Sequence, residues 1–286
     1  MSELEIPLDQ LPRYSPWPAR LLGVEPWQAL TKTPQEIERE FEVDKYGPLL
    51  KRLDSGGQIP ELADVDAWLI GSDQPLPCWL GDRIELLSPT QAMRIYRGMV
   101  ASILAEFLPA AALVEMGAGY GGVILDLGRR EPFKGMPLLA GEYTASGRGL
   151  IERLARGMGM KTTVAMCDLA SPAITGLPIP PGAVIFTCYA AHYVRKLTGA
   201  FVEALCAFRP SVVVHIEPCL EHCAPDSLLG LLRRRYIEAN DFNRNLVGLL
   251  KGSAQAGQIK LLAERPCLFG LHPLLTVSLL AWKPAV

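Results

Sequence analysis

The sequence has almost no charge of either sign in excess: 28 Lys and Arg stand against 30 Asp and Glu, a formal charge of −2. No block of basic residues breaks that balance, so the electrostatic footprint of a DNA- or RNA-binding surface is missing and no nucleic-acid partner is expected. Long hydrophobic runs are also missing. The most apolar stretch, Pro273 to Trp282, falls well short of the ~20 residues that a membrane-crossing helix needs, and reads as a buried strand. The opening MSELEIPLDQLPRY lacks both the basic start and the apolar segment of a secretory leader. The seven cysteines include no CxxC pair, and Cys188, Cys206 and Cys267 sit in apolar surroundings. Reduced, buried thiols and a cytoplasmic location are expected rather than a disulfide framework. His215, Cys219, His222 and Cys223 crowd into HIEPCLEHC, but their spacing matches no standard zinc pattern and alternation along a strand separates some of them, so no metal is expected. No repeat or low-complexity tract appears.

What remains is 286 residues of 49% hydrophobic composition, enough for a sizeable core in one domain with an elaboration. Residues 1–87 are proline-rich and irregular, with a helix start at Thr33-Pro34-Gln35-Glu36 and a stop or kink at Gly47-Pro48; they read as an N-terminal helical cap or lid. A second capping box at Ser88-Pro89-Thr90-Gln91 opens a helix to about Phe107. Short apolar runs then alternate with helical segments: AALVEM, PLLAGEY, TTVAMCD, AVIFTCY and SVVVHIEP. That rhythm predicts an α/β fold with a doubly wound, mostly parallel sheet over residues 88–286. A helical insertion follows at about 226–251, broken near Asn240 to Asn243. The closing runs around Leu271-His272-Pro273 are joined so tightly that they must form an antiparallel C-terminal hairpin.

The first parallel strand runs into Glu115-Met116-Gly117-Ala118-Gly119-Tyr120-Gly121-Gly122. Glycines here allow a tight turn and let a ligand lie on the main chain, at the N-terminus of the following helix. A nucleoside cofactor suits such a turn. Glu142 ends the second strand, where doubly wound folds place a carboxylate for ribose hydroxyls, and Asp168 ends the third, close to an adenine amino group. The glycines alone also satisfy GxGxxG, which leaves an NAD(P)-dependent oxidoreductase, or a catalytically silent cofactor-binding scaffold, as alternatives.

The acid two positions before the glycines, with Glu142, Asp168 and the terminal hairpin, resembles the class I S-adenosylmethionine-dependent methyltransferases over about residues 88–286. The EMGAGYGG form is also similar to sugar O-methyltransferases. The resemblance implies a Rossmann-like, seven-stranded sheet with one reversed strand, and S-adenosylmethionine as cofactor. It implies that Gly117, Ala118, Gly119 and Gly121 line the methionine part, with Tyr120 beside them. Glu142 and Tyr143 would hold the ribose end, Asp168 and Leu169 would frame the adenine, and Cys188 would close the site. Glu115 would support the loop and the cofactor amino group. Arg94 or Arg97 is available for the carboxylate, although surface solvation explains either one.

Methyl transfer needs a positioned nucleophile and, for an alcohol or ammonium group, a base. Substrate sites in doubly wound folds lie beyond the carboxyl ends of the strands, which selects the loops after the fourth and fifth. His192 is the first choice for base, and Glu217 the alternative, or a partner for a cationic substrate. Tyr189, Glu221 and His222 extend a polar wall. Tyr236, Asn240, Asn243 and Arg244 recur at helical spacing as a face for hydroxyls or carboxylates, opposite Leu228, Leu229, Leu231 and Leu232, which are expected on the sheet. Arg13 to Trp17 offers a lid. The expected partner is a small polar metabolite, sugar or amino-acid-like, of specialised biosynthesis; no membrane partner is expected, and a homodimer is an allowed assembly.

Overall fold

The computed structural model describes residues 4–55, 59–171 and 173–285. Four apolar runs become strands buried at every position: β4 (Leu113–Met116), β5 (Leu138–Glu142), β7 (Val184–Cys188) and β8 (Val212–Pro218). With β6 (Thr162–Met166) they form the parallel part of the sheet. The chain closes with the antiparallel pair β9 (Ile259–His272) and β10 (Leu275–Pro284), and β10 also pairs antiparallel with β8.

The sheet has ten strands, not the expected seven, in the order β1-β3-β2-β9-β10-β8-β7-β4-β5-β6. The three extra strands come from the front of the chain: β1 (Glu5–Ile6), β2 (Leu76–Leu80) and β3 (Arg83–Leu87). The physical reason is an exposed edge. Without β2, the 14-residue β9 would present unpaired main chain on one side, and the β2–β3 hairpin covers part of it through Trp79 opposite Gly270 and Leu80 opposite Phe269. The signal lay in WLGDRIELL, two short apolar runs around the two-residue connection Gly81-Asp82, with Gly81 at φ 67°. The front third is therefore a mixed segment rather than a purely helical cap.

Each face of the sheet carries its own apolar layer. Val212, Val214 and Ile216 pack with the helices Pro89–Ala105, Gly122–Gly128 and Ala145–Gly157, whereas Val213 on the other face packs with Gly199–Ala207 and Leu246–Gln255. Fully burying one such valine is worth about 1.5–3 kcal/mol. The capping box predicted at Ser88 is present: its hydroxyl accepts from Gln91 N–H, and Gln91 Oε1 accepts from Ser88 N–H at 3.1 Å. The predicted break is present too, between the helices Leu228–Ala239 and Leu246–Gln255. Among the described residues no helix is long and apolar enough to cross a membrane.

Candidate active site

Strand β4 ends in a turn that only glycine can make. Gly117 has φ 76°, and a Cβ there would sit 2.4 Å from the Ala190 Cβ; Gly119 has φ 58°, and a Cβ there would sit 2.7 Å from the Tyr46 hydroxyl. The loop after β4 and the loop after β7 thus touch with no room for a side chain. Glu115 braces the turn from below: its carboxylate is buried and accepts from Ile124 N–H at 3.0 Å. Burial pushes its pKa up to about 8, the Glu142 charge adds to the rise, and the Ile124 bond and Arg97 oppose it.

Glu142, at the end of β5, accepts from Gly119 N–H (2.8 Å), Thr144 N–H (2.9 Å) and the Thr144 hydroxyl (2.7 Å). Burial nonetheless raises its pKa above the ordinary carboxylate value. It lines a cavity of about 380 Å³ with Gly117, Gly119, Tyr143, Asp168 and Leu169, which brings the predicted nucleoside-end residues together. Strand β6 stops at Met166, two residues short of Asp168, whose carboxylate accepts from Ala170 N–H at 2.9 Å.

The other wall comes from residues the sequence did not mark. Arg39–Tyr46 is wound as a π-helix, whose i→i+5 repeat puts Phe41 and Tyr46 on one side, ring centroids 5.5 Å apart. Glu42 fastens this turn to the sheet by accepting from Ser146 N–H at 2.8 Å and from its hydroxyl at 2.5 Å. Lys32, paired with Glu40 at 2.6 Å, and Ile37 complete the wall. The covering element is therefore the segment from Lys32 to Tyr46, not Arg13 to Trp17. Ser15 instead bonds His272 at 2.8 Å, and Trp17 packs edge-on against Tyr236.

A second cavity of about 370 Å³ shares Gly117, Gly119, Phe41, Tyr46, Tyr189 and Tyr193 with the first and extends to Cys188, His192, Tyr96 and Leu271. Burial lifts the Cys188 thiol well above its usual pKa, so it lines the wall as a neutral group. Here His192 and Glu217 divide the roles the sequence had offered to either. Glu217 has no exposed surface; its carboxylate accepts from the N–H of Ala190 (3.0 Å), Ala191 (3.0 Å) and His192 (3.3 Å), and from His192 Nδ1 (3.3 Å). Burial would raise its pKa, but the His192 bond and charge and the Ala190 and Ala191 amides hold it below the usual value. With every approach occupied, Glu217 does not reach the cavity as the alternative base would need to; its carboxylate holds the 190–192 turn instead. Against an ionised Glu217, Nδ1 of His192 is the donor, so a neutral ring would carry its lone pair on Nε2. Nε2 has no hydrogen-bond partner among the described residues. His272, which the sequence reading missed, also lines this cavity, but Leu274 N–H donates to its Nδ1 (3.3 Å) and Ser15 meets its Nε2.

Arg97 is buried rather than solvated. One terminal nitrogen binds Asp66 (2.8 Å) and the Tyr120 hydroxyl (2.8 Å), while Tyr120 also donates to Asp66; Arg97 Nε is buried without a partner among the described residues. Arg94 is exposed.

The remaining substrate candidates turn away from both cavities. His222 Nε2 meets Glu264 at 2.9 Å, and Glu221 accepts from Gly248 N–H at 3.1 Å. Tyr236 stacks on His272, and Asn240 donates to the Tyr236 carbonyl at 2.9 Å. Asn243 donates to the Val194 carbonyl (2.7 Å) and accepts from Asn245 and Leu246 N–H (3.0 Å each), while Arg244 reaches only the Glu238 carbonyl and Asp241. The helical stripe fails as a polar wall because the helix break requires these amides as caps. Leu228 and Leu231, expected on the sheet, are 61% and 48% exposed. His215, from the cysteine-rich run, is held by Thr187 (3.0 Å) and Trp282 (3.1 Å).

No protein-family model matches this chain, and no curated protein matches it. Solved structures do. Magnesium protoporphyrin IX methyltransferase from Synechocystis PCC 6803, solved with bound SAH, is similar over 88% of this chain and 100% of its own, with 11% identity and a TM-score of 0.52. The 16S rRNA methylase RmtB is similar over 93% of this chain and 80% of its own, at 10% identity and a TM-score of 0.49. An S-adenosylmethionine-dependent methyltransferase from Clostridium acetobutylicum ATCC 824 is similar over 68% of this chain and 92% of its own, at 10% identity and a TM-score of 0.49. On the first of these likenesses, the chain carries the α/β fold of the methyltransferases, widened to a mixed sheet of ten strands.

Proposed function

We propose that the protein transfers a methyl group from S-adenosylmethionine to an oxygen or nitrogen of a small molecule. The observation that carries this reading is the cavity pair that meets at Gly117 and Gly119, with a carboxylate at one end and an oriented imidazole at the other. The nicotinamide alternative shares the glycines and the ribose carboxylate, and ligand binding separates the two readings.

The residues fit the cofactor. Gly117 and Gly119 form a cradle that a Cβ would fill, Glu142 has a carboxylate beside the first cavity for ribose hydroxyls, and Asp168, Leu169 and Tyr143 surround the adenine end. Arg97, with its unpartnered Nε, lines the second cavity where the cofactor's amino-acid end would lie. A bound cofactor would supply an electron-poor methyl carbon on a sulfonium, with the sulfide as its leaving group. The chain's own work is positioning and proton handling. Tyr46, Phe41 and Tyr193 cover the meeting point and keep water away. His192 Nε2 accepts the acceptor's proton, and the Glu217 carboxylate stabilises the resulting imidazolium through Nδ1–H. The small-molecule acceptor is supported by this enclosure.

Calorimetry with S-adenosylmethionine, S-adenosylhomocysteine and NADH in parallel tests the reading. Micromolar binding of both sulfur ligands without an NADH signal is expected; NADH binding alone overturns it.

A further inference from the structure

Resting on the methyl-transfer reading, we propose that the acceptor is a planar aromatic alcohol of the phenol class, held in the second cavity with its hydroxyl at His192. This replaces the sugar or amino-acid-like acceptor that the sequence suggested. The polar wall such a molecule would need is absent from the cavity: Glu221, His222, Asn240, Asn243 and Arg244 all bond elsewhere in the protein. A sugar buried here would lose hydration at several hydroxyls and find few partners, and each unmet buried group costs about 1–3 kcal/mol.

The walls that are present suit a ring. Tyr96 stacks on Phe269 with 5.8 Å between centroids and lies 5.7 Å from Tyr189, while Tyr193 lies 4.3 Å from the His192 ring. Two of the hydroxyls on this wall are already occupied. Tyr189 donates to the Leu275 carbonyl at 3.0 Å and Tyr120 to Asp66, so the cavity meets mainly ring surfaces and the aliphatic side chains of Met93, Leu271 and Leu275. The hydrogen-bonding atoms left free on these walls include His192 Nε2 and Arg97 Nε.

Charge separates a phenol from an aromatic amine. An ammonium acceptor would need an unpaired carboxylate, yet Glu217 is saturated by the 190–192 turn, Asp66 is paired with Arg97, and Glu115 lies under the glycine turn with a pKa near 8. His192 lines the cavity with Nδ1 on Glu217, which leaves Nε2 to meet a neutral acceptor that gives up a proton as it is methylated. A phenol does so: its O–H bond breaks, the proton passes to Nε2, and the electron pair stays on oxygen.

The test uses the full chain saturated with S-adenosylhomocysteine, so that no turnover occurs. Into it are titrated 4-nitrophenol, cyclohexanol, benzylamine and methyl glucoside, with heat and the visible absorbance of nitrophenolate as readouts. The phenol is expected to bind roughly tenfold tighter than cyclohexanol, the scale of one or two aromatic contacts, with a rise in bound phenolate at constant pH. His192→Gln should keep the heat of binding and lose the phenolate rise while S-adenosylhomocysteine still binds. Failure of S-adenosylhomocysteine to bind removes the methyl-transfer reading itself. Its binding together with preference for methyl glucoside or benzylamine, or with no phenol binding, overturns the acceptor assignment alone.

Discussion

Glu142 and Glu217 hold matching places, each at the carboxyl end of a parallel strand and each almost wholly removed from water, yet their carboxyl groups shift in opposite directions. Burial raises both. The donors decide the sign: Glu217 gathers the amides of one short turn and the His192 ring, whereas Glu142 meets two amides and one hydroxyl from two separate loops. A carboxylate saturated by its own fold is a structural peg, and one left short of donors beside a cavity is available to a ligand.

The largest expected effect breaks the peg. Glu217→Ala strands buried amide donors and frees the His192 ring, which should cost about 3–5 kcal/mol of stability in urea unfolding and abolish turnover. The milder Glu217→Gln should fold and still lose activity through the wrong His192 tautomer. The pH dependence has a definite sign. Because the folded pKa of Glu217 lies below its unfolded value, its stabilisation is complete above about pH 4.5 and is lost as pH falls through the folded pKa. Glu142 acts oppositely: its raised folded pKa means that folding binds a proton, so stability falls as pH rises from about 4.5 through the raised value. An acid titration of Glu217→Gln that matches the parent would remove the distinction.

Next in size is His192→Gln, which keeps a group able to meet Glu217 and removes the proposed base. Turnover should drop by roughly 100- to 10,000-fold with S-adenosylhomocysteine affinity unchanged within about twofold. Glu142→Ala should show the complementary pattern. Losing the hydrogen bonds of a charged acceptor should weaken S-adenosylhomocysteine binding by about ten- to a hundredfold in calorimetry, with a stability loss smaller than that of Glu217→Ala because the carboxylate's own burial cost is relieved. Equal losses of affinity in the two variants would mean that the two carboxylates do not divide binding from proton transfer.

The division also marks what the sequence could disclose. Strands buried on both faces, the hairpin and the glycine turn are written in local patterns, because a continuous apolar run or a required positive φ constrains residue type at each position. The cavity wall is not. Phe41 and Tyr46 share a face only because the chain winds as a π-helix there, and no residue spacing announces that. The polar stripe from Tyr236 to Arg244 has the period of a binding face, but side-chain amides at a helix break serve the main chain first. Glu217 was legible as a buried carboxylate needing partners, although its partners come from a turn some 25 residues earlier in the chain. Three edge strands were missed because the front third is dominated by prolines, which hid the short Gly81-Asp82 hairpin.

The smallest expected effects sharpen the boundary of the site. Glu221 and Arg244 were natural choices for a polar wall, and both reach only surface partners in loops and helix ends. Exposed bonds of this kind contribute little because water competes for both partners and salt screens the charges. Glu221→Ala and Arg244→Ala should each change stability by no more than about 0.5 kcal/mol and leave kcat/KM within about twofold. A tenfold rise in KM for either variant, with kcat unchanged, would place that side chain on the substrate and move the acceptor pocket outward, past His192, toward the loop after β8. Because Glu217 holds the turn that carries His192, such a shift would leave the proposed proton-accepting role of His192 intact and change only what is held against it.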